Sequence, residues 1–143
     1  MNRAASVGWL CTAALVLALS GCAGECVPRV SEGWIRGGPA GMPMRAGFAR
    51  IVNDCDAEVV ITGATSPAFA DVSLHETTSS GGVSRMRPVP ALHVPANGET
   101  LLAPGGLHLM LSGPRGGPDP GSRVEVVFEL SDGGSLRGEF EVR

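Results

Sequence analysis

The sequence predicts an all-β domain, an antiparallel β-sandwich or Greek-key barrel of seven or eight strands. After residue 26, no stretch keeps an apolar period of 3.6 residues for three turns, which argues against α-helices. Short runs rich in Val, Ile, Leu and Phe alternate instead with clusters of Gly, Pro, Asn and Asp. Short strands that recur at this spacing are typical of antiparallel sandwiches and barrels.

The strand candidates follow one another along the chain after residue 45. In order, they are 46–53, 58–64, 71–76, 83–87, 99–102, 107–111, 124–130 and 135–142. Turn signals separate them at 53–56, 79–82, 95–98, 104–106, 113–121 and 132–134. The last signal, Asp132-Gly133-Gly134, indicates a hairpin between the final two strands. The segment 37–44 is rich in Gly and Pro, so we expect an exposed loop there.

The composition fits one globular domain and excludes a nucleic-acid-binding surface. The chain has 143 residues, of which 43% are hydrophobic and 17% are charged, enough to form a core. All 11 basic residues are Arg, they are scattered singly, and the formal net charge is −3. The basic stripe on which nucleic-acid binding usually depends is therefore missing from the sequence.

The beginning of the chain has the pattern of an export signal. The segment 7–19 is an uncharged, mostly apolar run of 13 residues. It is shorter than the ~20 residues that a transmembrane helix needs, and its length is typical of a signal-peptide core. It ends in Leu19-Ser20-Gly21-Cys22, which resembles a bacterial lipobox. We therefore expect a signal peptide at 1–21 and a single mature domain at 22–143 on the periplasmic side of a bacterial membrane, anchored through lipid on Cys22. The alternative is an ordinary signal peptide cut one or two residues later.

Export also decides how the cysteines are interpreted. Cys11 leaves with the signal peptide and Cys22 carries the lipid, so Cys26 and Cys55 remain as an even pair in an oxidising compartment. We expect a disulfide between them, with two free thiols as the alternative. Their separation of 29 positions, without a Cys-x-x-Cys arrangement, argues against a redox centre.

Two His and two Met are predicted to share one face of the sheet. If Ser80-Gly81 forms a two-residue turn, His75 lies directly opposite Met86. A turn one residue later shifts the register by two and keeps both side chains on the same face. An odd-length loop or a bulge, which the glycines allow, would instead place them on opposite faces. His108 and Met110 are two positions apart and project from one face of their strand. If these strands are neighbours, the four side chains form a two-His, two-Met set.

The chemistry of such a set favours Cu(I). Neutral thioether and imidazole ligands suit this soft ion. Zinc prefers Cys, His and carboxylate ligands, and Met is not among them. A blue-copper electron-transfer site needs a Cys thiolate with two His, and no Cys follows residue 55. The residue types therefore favour Cu(I) binding over a zinc site or an electron-transfer site.

Around these residues the sequence resembles the periplasmic copper chaperone family written PCu(A)C. Ten residues separate His75 from Met86, twenty-one separate Met86 from His108, and one separates His108 from Met110. This spacing matches the signature of that family. The flanking matches are Leu74-His75-Glu76, Gly81-Gly82-Val83, Met86-Arg87-Pro88-Val89, Pro104-Gly105-Gly106 and His108-Leu109-Met110. The resemblance spans roughly residues 27–143.

The resemblance implies a cupredoxin-like β-sandwich that binds one Cu(I) per chain through His75, Met86, His108 and Met110. Members of the family carry copper outside the cytoplasm and are linked to loading the CuA centre of cytochrome c oxidase, sometimes alongside Sco-type thiol proteins. The leading hypothesis is an exported, lipid-anchored, monomeric Cu(I) metallochaperone rather than an enzyme. The alternatives are a copper-buffering or copper-resistance lipoprotein, an electron-transfer cupredoxin and a metal-free interaction module.

Four other residues carry weaker expectations. For Met42 and Met44, packing within the early loop is the favoured interpretation, and a transient copper-handling patch is the alternative. Trp34 is expected in the core, and His93 is expected on the surface.

Overall fold

The computed structural model describes residues 26–39, 41–116 and 118–143. These residues form ten β-strands and no helix. The strands are β1 (Arg29–Ile35), β2 (Met44–Asn53), β3 (Val59–Thr65), β4 (Phe69–Ser80), β5 (Val83–Pro88), β6 (Leu92–Val94), β7 (Gly98–Leu102), β8 (Leu107–Pro114), β9 (Arg123–Leu130) and β10 (Ser135–Val142). Within these ranges no helix has the length and apolar character needed to cross a membrane. The predicted all-β class is confirmed, whereas the predicted signal peptide and the lipid anchor on Cys22 lie outside the described residues.

The sequence predicts seven or eight strands, and two of the ten observed strands, β1 and β6, were not predicted. β1 is interrupted: Glu32 has a positive φ of 54°, and the pairing with β2 shifts between Ser31 and Trp34. Such an irregularity removes the alternation by which a strand is recognised. β6 has only three residues and ends directly before Pro95, too short for any pattern to emerge.

Seven of the strands close into a barrel. The ring runs β4-β8-β2-β1-β10-β9-β3, and the β3–β4 pair at Ala64 and Val72 returns it to its first strand. β5, β6 and β7 extend this ring by pairing with β4, β3 and β2, respectively. All pairs are antiparallel except β1–β10. The barrel is therefore mixed, because the first and last strands of the domain run side by side in the same direction.

The core follows from strict alternation in the long strands. Along β10, every second residue is buried, from Leu136 to Val142. On β8, Leu109 and Leu111 are fully buried inside the barrel. Because side chains alternate between the faces of a strand, the residues between and beside them, His108 and Met110, lie on the outer face. The alternation that builds the core thus also places the candidate ligands outside it.

A disulfide and a group of hydrogen bonds stabilise the end of the barrel at which β2 ends. Cys26 and Cys55 form the expected disulfide, which joins the segment before β1 to the turn after β2. The buried Asn53 amide donates to the carbonyls of residues 57, 94 and 95, and its Oδ1 accepts from the Cys55 N–H. Also on β2, the Arg50 guanidinium donates a hydrogen bond to the Glu99 carboxylate. This hydrogen bond and the negative charge of Glu99, with a smaller contribution from Glu32, raise the pKa of Arg50.

Candidate metal centre

The pairing of β4 with β8 brings the two candidate histidines together. His75 lies directly opposite His108 in this antiparallel pair, and Ser73 lies opposite Met110. The two imidazole rings are tilted by 27°, and their centroids are 6.1 Å apart. Because directly opposed residues point to the same face, His75 shares the outer face of the barrel with His108 and Met110.

The β4–β5 hairpin adds Met86 to this face, but with a different register from the simplest sequence prediction. Thr77, not His75, lies opposite Met86, and His75 lies opposite Pro88. The predicted direct opposition of His75 and Met86 is therefore wrong, and the shifted register is the one formed. The physical reason lies in the turn, because Gly81-Gly82 supplies two successive positive φ angles, 58° and 78°. Such angles are required by the type I′ turn that suits a two-residue hairpin loop.

The four side chains differ in exposure in a graded way. His108 is almost completely buried, at 8% exposure, whereas Met86 is 52% exposed at the edge strand. His75 and Met110 are intermediate between these extremes. The centre therefore has a fixed inner side at His108 and an accessible outer side at Met86.

A backbone contact sets the tautomer of His108. Its Nδ1 lies 2.9 Å from the Gly106 carbonyl oxygen, which can only accept a hydrogen bond. The neutral imidazole therefore carries its hydrogen on Nδ1 and leaves Nε2 as a bare nitrogen. Nε2 lies 3.3 Å from the thioether sulfur of Met86. Two atoms with free electron pairs thus face each other across a short gap.

Aromatic rings cover the other side of His108. Phe48 on β2 lies 6.5 Å from the His108 ring, and Trp34 on β1 lies 4.5 Å from Phe48, measured between centroids. The guanidinium of Arg36 stands 5.4 Å from the Phe48 centroid. Trp34 lies outside the core cluster, contrary to the sequence expectation, because the adjacent Ile35 takes the inward position. This outer aromatic layer explains why His108 is buried although it lies outside the barrel.

A cavity of about 280 Å³ opens beside the centre. It is lined by Arg36, Gly37, Gly38, Met42, Met44, Arg45, Ala46, Met86, His108 and Met110. Three of the four candidate ligands therefore share this space with the β1–β2 loop and the start of β2. Met42 in the β1–β2 loop and Met44 at the start of β2, together called the loop methionines, line the site although sequence spacing assigned them no firm role.

Other chemistry-bearing side chains lie away from the centre. His93 is exposed on β6, as expected, and its Nδ1 lies 2.9 Å from a carboxylate oxygen of Glu58. Arg87 pairs with Glu76 at 2.6 Å. In the described part of the chain, no three His, Cys, Asp or Glu side chains are grouped as metal ligands. Any metal bound at this centre therefore depends on the methionine sulfurs.

Comparison with solved structures supports the fold. A copper-bound PCuAC domain from PmoF2 is 20% identical and superimposes with a TM-score of 0.67, covering 81% of this chain and 92% of that one. The Cu(I)-bound DR1885 protein of Deinococcus radiodurans is 28% identical, with a TM-score of 0.62, covering 82% of this chain and 76% of that one. The barrel is thus similar to the one found in PCuAC domains, as the sequence resemblance predicts.

Comparison of sequences identifies the family. The family model described as "Putative lipoprotein LpqE-like" matches residues 29–142, from the start of β1 to the end of β10. The "Putative lipoprotein Lxx21020" of Leifsonia xyli subsp. xyli is 32% identical over 134 residues, covering 85% of this chain and 80% of that protein. The chain therefore belongs to the LpqE-like family, with the fold of a PCuAC domain.

Proposed function

We propose that this protein is an exported, lipid-anchored Cu(I) metallochaperone that binds one Cu(I) through His75, Met86, His108 and Met110. The observation that carries the proposal is the short approach of His108 Nε2 to the Met86 sulfur, 3.3 Å, with no hydrogen between them in the neutral tautomer. At this distance the two electron-pair donors are in contact but gain no hydrogen bond from each other. A soft cation placed beside both atoms would accept both electron pairs and form two coordinate bonds.

The donor set favours Cu(I) over divalent metals. All four proposed ligands are neutral, and two of them are thioethers, which are soft ligands. A divalent ion would gain little from this set, because no carboxylate or thiolate is present to offset its charge. Among the described residues, both cysteines are joined in the disulfide, so the thiolate that a blue-copper centre requires is missing there. This argues against the electron-transfer alternative.

The graded exposure suits delivery rather than permanent storage. His108 is held by Gly106 and covered by Phe48, so it provides a fixed ligand. Met86 stands on an edge strand with half of its surface in solvent, so an acceptor can compete for its place. Ligand exchange can thus begin at Met86 while the inner histidine still holds the ion.

The proposal also assigns the cellular location of the protein and the acceptor of its copper. Copper-bound structures among similar proteins and the lipoprotein family support a copper carrier anchored outside the cytoplasm. We assign the CuA centre of cytochrome c oxidase as the acceptor, reached alone or with a Sco-type protein, and a monomer as the working form. Lipid on Cys22 would hold the domain on the periplasmic side of the membrane, near a membrane-bound acceptor.

The direct test is Cu(I) affinity, measured anaerobically by competition with a chromophoric chelator. The His75→Ala/Met110→Ala variant should bind Cu(I) more than about 100-fold more weakly, since even changes behind a metal's ligands cost 10- to 100-fold. The control is His93→Ala, an exposed histidine on β6 outside the centre, which should bind as the wild type does. Unchanged affinity in the double variant would contradict the proposal.

A second measurement separates delivery from buffering. The Cu(I)-loaded protein is mixed with an apo CuA domain, and the copper content of both proteins is measured after separation. A chaperone should transfer its copper. A protein that retains its copper and instead protects cells from excess copper is the buffering lipoprotein of the alternative hypothesis.

A further inference from the structure

The β1–β2 loop and the first residue of β2 present two additional thioethers to the cavity beside the proposed copper centre. Met42 and Met44 line this cavity together with Met86 and Met110, so all four described methionines meet in one place. Proposed ligands and loop methionines therefore share one continuous space.

The exposure of these methionines argues against a packing role. Met42 and Met44 are 43% and 50% exposed. Methionine commonly fills irregular gaps in a core, but neither side chain belongs to the core cluster. The exposed large hydrophobic side chains in the described part of the chain are Val27, Met42, Met44, Val83, Met86 and Leu101. Three of these six are methionines, and all three line the same cavity.

The strand register places Met44 within reach of the centre. In the β2–β8 pair, Met44 lies opposite Ser112, and Ala46 lies opposite Met110. Met44 and Met110 are therefore diagonal neighbours on the outer face, a relation that long side chains can bridge. The small Ala46 leaves open the space through which they would meet.

The backbone holds the loop over the cavity. The Gly113 N–H on β8 donates to the carbonyl of Pro43, between the two methionines, at 2.9 Å. Gly38 lets the Met42 sulfur approach closely, since a Cβ on residue 38 would lie only 2.5 Å from it. The backbone position of the segment that carries the two methionines is thus built into the fold.

The charge around the cavity favours weak, transient binding. Arg36 and Arg45 both line it, and neither pairs with a carboxylate in the part of the chain that the structure describes. Their positive charge raises the free energy of any cation held nearby. The same charge acts on the inner centre, which shares this cavity. A site of thioethers alone should hold Cu(I) less tightly than that centre because it lacks the two imidazole ligands.

We infer that Met42 and Met44 form a relay site that passes Cu(I) between solvent or a partner and the inner centre, with Met110 as the shared ligand. This inference rests on the proposed function. In the transfer, a Cu–S bond to Met42 or Met44 forms as a bond to a histidine or to Met86 breaks. Copper remains Cu(I), and no proton moves, because thioethers are neutral.

Methyl NMR of protein labelled at the methionine Cε can test the relay directly, with anaerobic Cu(I) as the probe. Single Met→Leu variants assign each signal. The first equivalent of Cu(I) should shift the methyls of Met86 and Met110, and further Cu(I) should shift those of Met42 and Met44. If Met86 and Met110 shift while the loop methyls never do, the relay is wrong and the copper centre stands. If no methyl shifts, both proposals fail.

Transfer kinetics provide the second arm. Replacing both loop methionines by Leu should slow Cu(I) transfer to a chelator by about tenfold while leaving the equilibrium affinity within about twofold, since a relay changes a barrier rather than the end states. Met42→Ala/Met44→Ala is the matched comparison. If the loop is only an apolar wall, the Leu variant transfers at the wild-type rate and the Ala variant alone is altered. That result would overturn the relay.

Discussion

At the scale of single residues, the decisive feature is the way in which His108 is held. Its Nδ1 is occupied by the Gly106 carbonyl at 2.9 Å, so only Nε2 can bind a metal. A hydrogen bond to the second ring nitrogen commonly fixes the orientation of a metal-binding histidine. The sequence predicts which residue types meet here, but the tautomer depends on a carbonyl two positions away whose direction no side-chain pattern reveals.

Asn53 offers a test at the same scale, concerning stability rather than copper. Its fully buried amide makes four hydrogen bonds at the end of β2. Asn53→Ala should lower the free energy of unfolding by about 1–3 kcal/mol or more, because buried backbone groups lose their partners. Chemical denaturation measures the change. Asn53→Asp keeps the acceptor but loses both donors, so a fully stable Asp variant would contradict this role of the amide.

At the scale of elements, the β4–β5 hairpin determines where Met86 stands. Gly81 and Gly82 both adopt positive φ, and a Cβ on either would meet no atom within 4 Å. A substitution there therefore acts through the backbone conformation alone. This separates the effect of the turn from any effect of packing.

The turn allows a matched pair of variants. Gly81→Asn should be tolerated, because Asn-Gly is a favoured sequence for this turn. Gly82→Val should strain the turn by about 1–2 kcal/mol, the cost of a left-handed conformation for a residue with a Cβ. Since Met86 lies four residues beyond Gly82, Cu(I) affinity should fall in the Val variant only. Equal affinities in both variants, measured by chelator competition, would show that the turn does not control the centre.

The hairpin also shows how far the sequence predicts this structure. The strands with clean alternation or β-branched runs, such as β9 and β10, are predicted closely because burial alone decides them. The two-His, two-Met face is predicted because parity survives a register shift of two. Three features could not be predicted from the sequence: the register shift between β4 and β5, the bulge in β1 and the parallel β1–β10 pair. They depend on turn geometry or on contacts between the two ends of the domain, and local patterns carry no information about either.

At the scale of the whole molecule, binding and stability are located at different ends of the same strand. Met44 at the start of β2 lines the cavity, while Cys55 follows the end of β2 and carries the disulfide. The two ends of β2, Met44 and Asn53, are nine positions apart, a distance of about 30 Å along an extended strand. A change at the disulfide should therefore reach the copper centre only through global unfolding.

The double variant Cys26→Ser/Cys55→Ser tests this separation. Opening a loop closed by residues 29 positions apart should lower the free energy of unfolding by about 3–4 kcal/mol in the chain-entropy model. The folded variant should still bind Cu(I) with wild-type affinity. A ligand that binds only the folded state adds a stabilisation set by its concentration and dissociation constant, so anaerobic Cu(I) should add the same free energy of unfolding to both proteins. A smaller increment in the variant would mean that the disulfide holds the copper centre in shape, and that the two ends of β2 are coupled after all.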